Sequence, residues 1–129
     1  IENILKSDPR FDSPPENWKS DSHYCLPLQG AESLIMAGER VANYLITQSK
    51  RIDLVPKANC QRKEVRLFFG HGASFRHAAF HLNVINMCDI KQFSMHHGRA
   101  VMIQQQIDGQ WQHIAGEWKI RQQLNSFND

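Results

Sequence analysis

The stretch that decides the fold is EVRLFFGHGASFRHAAFHL, residues 64–82. An apolar run of strand-forming residues ends in Gly70-His71-Gly72, and a helical pattern begins directly afterwards. A strand that turns on glycines into a helix is a basic unit of α/β domains. Ser74 is a residue type that caps helices, and Phe75, Ala78, Ala79 and Leu82 then recur on one helical face. Residues 64–69 alternate poorly between apolar and polar. They read as an interior strand, buried on both faces and needing a neighbour on each side.

Working outward, residues 6–30 are proline-rich, poor in aliphatics and without periodicity, so they read as an irregular loop. From Ala31 the pattern changes. Leu34, Ile35, Val41, Ala42, Leu45 and Ile46 recur at helical spacing, which predicts an amphipathic helix over 31–49 with Gly38 as its weak point. Downstream, 87–92 reads as a short helical turn. Residues 99–107 and 110–115 read as strands joined by a hairpin at Asp108-Gly109, and the tail from Trp118 reads as helical or frayed. No internal repeat is present. The order helix, strand, helix, strand, strand predicts an α/β layered domain occupying the whole of 1–129.

Composition sets bounds on function. The chain has 129 residues, 41% hydrophobic and 22% charged, which is one ordinary globular domain with a real core. A formal charge of +2 gives no footing for nucleic acid as a partner. The cluster of Lys50, Arg51, Lys57, Arg62, Lys63 and Arg66 includes Pro56 and Asn59, and reads as a solvated connection. No apolar run reaches the length of a membrane span and no signal-peptide pattern opens the chain. Cys25, Cys60 and Cys88 have no metal-type spacing, and a reducing, cytoplasmic setting is the simplest expectation.

Two places carry chemistry. A helix N-terminus following Gly70-His71-Gly72 is suited to an anion: glycines let the backbone approach closely, and the first-turn amides at Gly72, Ala73 and Ser74 point outward. His71 at the end of the strand can donate a hydrogen bond to a phosphate oxygen, although a turn with a surface histidine has the same sequence. Glu32, at the start of the upstream helix, fits two roles: an acidic residue favoured by the helix dipole, or a general acid or base. His77 and His81, four apart, share a helical face and could ligate a metal, but no third ligand follows at matching spacing. Surface histidines are the simpler reading. Trp111 and Trp118 read as packing residues, and Cys25 has no adjacent base to make it a nucleophile.

Taken together, three blocks in order resemble the histidine phosphatase superfamily, the group of phosphoglycerate mutases and acid-phosphatase relatives. QGAESLIMAGERVANYL is similar to that family's Gly-Glu-Ser segment, with Ala31 in place of the usual glycine and Arg40 following. VRLFFGHGASFRHAAFHLNV is similar to its second histidine motif, and FSMHHGRAVMIQQQIDGQWQHIAGEW to its closing turn and hairpin. The resemblance implies a three-layer α/β/α sandwich of the phosphoglycerate mutase type, with a specificity loop within 1–30. It implies Glu32 as proton donor, His71 as a histidine that binds the phosphoryl group, and the turn holding His96 and His97 beside the mouth of the site, with His97 as a substrate contact.

The nucleophile of that family is a histidine in an Arg-His-Gly motif near the amino terminus, and none precedes Glu32 here. Arg76-His77 lies within a helix and is followed by Ala78. The chain opens on Ile1, and we read it as the carboxyl-terminal portion of a phosphomonoester hydrolase or mutase-like protein with an incomplete sheet. A phosphorylated small molecule is the expected ligand, with no cofactor or metal. The missing strand would come from upstream sequence or from another copy of the chain. The alternative is a degenerate, non-catalytic member that binds a phosphorylated ligand or a protein partner.

Overall fold

The computed structural model describes residues 17–53 and 64–121, in a mixed α/β arrangement. A 3-10 turn at Trp18–Ser20 leads into a loop, followed by helices α1 (Leu34–Asp53), α2 (Gly72–His81) and α3 (Met87–Gln92). The strands are β1 (Phe93–Met95), β2 (Met102–Gln105), β3 (Trp111–Ala115) and β4 (Trp118–Ile120). They form two separate antiparallel pairs, β1 with β4 and β2 with β3.

Helix α1 begins at Leu34, three residues later than the sequence predicts, because Ser33 caps it. The Ser33 hydroxyl accepts the Met36 N–H at 3.2 Å, satisfying one of the orphan donors of the first turn. Helix α2 begins earlier than expected. His71, in extended conformation, is its N-cap residue, and Ser74 lies inside the first turn, its hydroxyl donating to the His71 carbonyl. Helix α3 has the predicted residues and a reciprocal cap: Asn86 accepts the Asp89 N–H, and the Asp89 carboxylate accepts the Asn86 N–H, each at 3.0 Å. The Asp108-Gly109 hairpin also forms, with Gly109 at a φ of 84° that favours glycine.

Helix α2 is the centre of the molecule. One flank, Ala78 and Leu82, packs against Ala42 of α1, with Leu45, Ile46, Ile103 and Trp111 around it. The other flank, Ala79, packs with Ile85 and Ile90 against Phe93 and Trp118. Arg76, buried on the same helix, donates from Nη1 to the Phe93 carbonyl at 3.0 Å and so ties α2 to β1.

Helices α1 and α2 run in opposite senses, since His81 contacts Ile35 and His77 faces Gly38. At the crossing the backbones come so close that a Cβ at Gly38 would overlap the Cβ and carbonyl carbon of His77. The glycine that looked like a weak point in α1 is a requirement of the packing.

Two expectations are corrected. Residues 64–69 make no ladder with any described strand. Val65, Leu67 and Phe69 are 71%, 67% and 88% exposed, so among the described residues the segment is not an interior strand. Its other face does have a seat on α1: Phe68 stands edge-on to Tyr44 at 6.1 Å, and Arg66 donates to Gln48 at 2.6 Å. A strand's backbone groups are satisfied by neighbouring strands, and no described segment supplies one here. The tail is the second correction. Trp118–Ile120 is neither helical nor frayed but pairs with β1, its Trp118 ring stacked on Phe93 at 6.1 Å and 10°.

The crossing gives a signed prediction. Alanine at an exposed helical glycine stabilises by about 1 kcal/mol. At position 38 the overlap with His77 should reverse the sign, so Gly38→Ala is expected to destabilise by about 1–3 kcal/mol in urea unfolding. A gain in stability would show that the helices do not meet at this residue.

Candidate functional site

The site implied by the sequence gathers at the start of α2. His71 is exposed, immediately before the helix. The amides of Gly72, Ala73 and Ser74 have no acceptor within the helix, no side chain caps them, and no acidic residue occupies the first turn. Among the described residues, none in the cap or first turn compensates the positive end of the helix dipole.

Gly72 packs against Met95, the last residue of β1, whose side chain a Cβ at Gly72 would meet at 3.5 Å. The chain leaving β1 runs through His96 into the turn at His97 and Gly98, closed by the Arg99 N–H on the His96 carbonyl at 3.3 Å. His97 is exposed on this turn, so the fold places it close in chain to the residue that faces Gly72. His71, Gly72, Ala73, Ser74 and the His97 turn thus belong to one end of α2.

Glu32 is positioned differently. It precedes the cap of α1, and the start of α1 lies beside the C-terminal half of α2, where His81 Nε2–H donates to the Ile35 carbonyl at 2.9 Å. Among the described residues no hydrogen bond or ion pair joins Glu32 to His71. Glu32 is instead gripped by Arg40, whose Nε and Nη2 each donate to one carboxylate oxygen at 2.8 Å. Those charge-assisted bonds hold the Glu32 carboxyl below its ordinary pKa and raise that of Arg40. As it stands Glu32 is ionised, and giving up a proton would require it first to gain one.

The histidine pair on α2 is a further correction. His77 is not on the surface but fully buried, 0% exposed. Its Nδ1 lies 2.7 Å from the Ala73 carbonyl and its Nε2 lies 2.9 Å from the Ser22 hydroxyl. A carbonyl can only accept, so Nδ1 carries the proton and Nε2 accepts from Ser22. Burial pushes the His77 pKa down, so the ring is neutral. With both its nitrogens engaged, and His81 Nε2 donating to Ile35, the pair is committed to hydrogen bonds rather than poised as ligands. Among the described residues no group of three metal-ligating side chains comes together. The sequence signal for this network was the i, i+4 spacing, but Ser22, 55 residues away, was not legible from it.

Cys25, exposed, donates to the Ala31 carbonyl at 3.2 Å with no base at hand. Of the basic cluster, Lys57, Arg62 and Lys63 lie outside the described residues, and so does most of the expected specificity loop before Asn17. No described helix is long and apolar enough to cross a membrane. The chain matches no protein-family model, no curated protein and no solved structure.

The Arg40 grip is open to direct measurement. Arg40→Gln should move the Glu32 carboxyl titration upward, toward the ordinary value of about 4.3 for glutamate, in a carbon-detected NMR titration. An unchanged midpoint would mean that the pair does not persist in solution.

Proposed function

We propose that this chain is the phosphate-holding portion of a phosphomonoester hydrolase or mutase-like protein that works by phosphohistidine chemistry. The observation that carries it is the open N-terminus of α2: uncapped amides at Gly72, Ala73 and Ser74, no acidic residue in the first turn, and exposed His71 beside them. An anion there would satisfy donors that the protein leaves free and would meet the helix dipole favourably. His71 would donate to a phosphoryl oxygen, and His97 on the adjacent turn would contact the rest of the substrate.

In a complete site of this type a histidine attacks phosphorus in line, the ester oxygen leaves with a proton from an acid, and water then releases the phosphoryl group. Glu32 is the acid in this proposal. Its pairing with Arg40 must then loosen, and the carboxylate must move from beside the C-terminal half of α2 toward the start of that helix. The nucleophile belongs to an Arg-His-Gly segment that this chain does not contain.

The fold proposed with it is a three-layer α/β/α sandwich in which residues 64–69 are a central strand. The support is their apolar outer face, together with the seat of Arg66 and Phe68 on α1. The neighbouring strands would be supplied by sequence upstream of Ile1 or by another copy, in a cytoplasmic setting. The second reading, a non-catalytic binder of a phosphorylated ligand or a protein partner, is favoured by the closed Glu32–Arg40 pair.

The 129-residue chain is expected to bind phosphate or vanadate weakly and to hydrolyse no aryl phosphate from mildly acidic to neutral pH. Loss of a nucleophile in such a mechanism removes several orders of magnitude in rate. His71→Ala should weaken anion binding by about tenfold or more, the worth of a hydrogen bond to a charged group. Turnover by the unmodified chain that disappears in both His71→Ala and Glu32→Ala would place the nucleophile within this chain and overturn the incomplete-site proposal. Absence of both turnover and anion binding would leave the partner-binding reading.

A further inference from the structure

The geometry points to His77 as an acid-operated latch that fastens residues 21–33 to the crossing of α1 and α2. Ser22 makes the connection at both ends. Its carbonyl accepts the Ile35 N–H in the first turn of α1 at 3.0 Å, and its hydroxyl donates to His77 Nε2 on α2 at 2.9 Å. One residue of an irregular segment is therefore bonded to both helices at the place where they are closest.

Apart from Ser22, the segment is fastened to α1 at its far end by the exposed Glu32–Arg40 pair. Ser33 is buried and Tyr24 and Leu26 are half-buried, whereas Asp21, His23, Cys25, Pro27, Leu28, Gln29 and Gly30 are exposed. Its remaining backbone bonds are mostly internal, such as Ala31 N–H to the Leu28 carbonyl at 3.1 Å. Segments with few buried apolar contacts open at low cost, so a single buried contact has large leverage on them.

A proton on Nε2 forces the Ser22 bond to reverse, the hydroxyl accepting instead of donating, and places a charge on a fully buried ring. The groups around the ring reinforce the effect: Arg76 and His81 from α2, and His23 from the segment itself, each oppose a charge on His77. From α1 the uncharged Gly38 packs on the Cβ and backbone of His77, and the flanking Glu39 and Arg40 are exposed. Asp21 is turned to the His23 amide at 2.9 Å.

The sign follows from the direction of the shift. With the segment closed, burial holds His77 below its ordinary value. Once open, the ring titrates near the ordinary value of about 6.5. The open form binds the proton better, so closure is complete above that pH and is lost progressively below it. The equilibrium constant for opening should rise between pH 7.5 and pH 5.5, by up to about tenfold. This inference stands on the buried contact alone and is independent of phosphate chemistry.

The test is amide hydrogen exchange by NMR on the full chain at pH 7.5 and 5.5, corrected for the pH dependence of intrinsic exchange. Ile35, whose N–H is held by Ser22, reports the segment, and Ala42 and Ala78 report the helix core. Ile35 is expected to open far more often than Ala42 and Ala78 at both pH values, with its opening severalfold, and at most about tenfold, greater in acid. His77→Gln should abolish the acid step. Ser22→Ala, which leaves the helix crossing intact, should raise Ile35 opening already at pH 7.5, and it decides the matter if His77→Gln does not fold. Equal opening of Ile35 and Ala42 at both pH values would overturn the latch, because His77 would then titrate with the whole domain. An Ile35 opening that is unchanged by acid or by Ser22→Ala would overturn it equally.

Discussion

The close crossing of α1 over α2, with Gly38 set against His77, is the constraint from which the rest of the structure follows. Only a residue without a side chain lets the helices approach this near, and Ala42 and Ala78 keep the approach tight on either side. His77 is fully buried at this crossing, so both its ring nitrogens must be satisfied from within. One is satisfied by its own helix at Ala73 and the other by Ser22, which brings the incoming chain onto the helix pair. Packing, polar satisfaction and chain path are thereby a single arrangement.

The first turn of α2 depends on the same arrangement. His77 holds the carbonyl of Ala73, one of the residues whose amides face outward at the start of the helix. Arg76 fastens the next position to β1 through Phe93, and β1 ends at Met95 against Gly72. Buried side chains one turn below therefore fix the position of the uncapped turn. Glu32 stands apart from this arrangement: it is exposed and held by Arg40 rather than by anything on α2.

Much of this was legible in the sequence. The helices were, because Val41, Ala42, Leu45 and Ile46, and again Ala78, Ala79 and Leu82, repeat at the period of a helix. The hairpin was, because Asp108-Gly109 specifies its own turn. What escaped depends on partners remote in sequence. Trp118–Ile120 is a strand through Phe93–Met95, more than twenty residues back, and its three residues carry no period of their own. His77 looked like a surface residue because nothing in FRHAAF announces the glycine of another helix above it. Residues 64–69 show the limit from the other side: their pattern asks for a sheet, and the described chain contains no strand to provide one. Within the candidate site, His71 and the amides after it were readable from a local glycine turn, whereas the Arg40 grip on Glu32 needed the geometry of the α1 terminus.

The central claim is that the first turn of α2 is an anion site, and an amide-resolved NMR titration with inorganic phosphate tests it most directly. The expected result is a saturable shift of the Gly72, Ala73 and Ser74 amides, accompanied by the His71 ring and absent from the amides of α3. Shifts confined to the lysine- and arginine-bearing surface near Lys50 and Arg66, with Gly72, Ala73 and Ser74 unmoved, would contradict it.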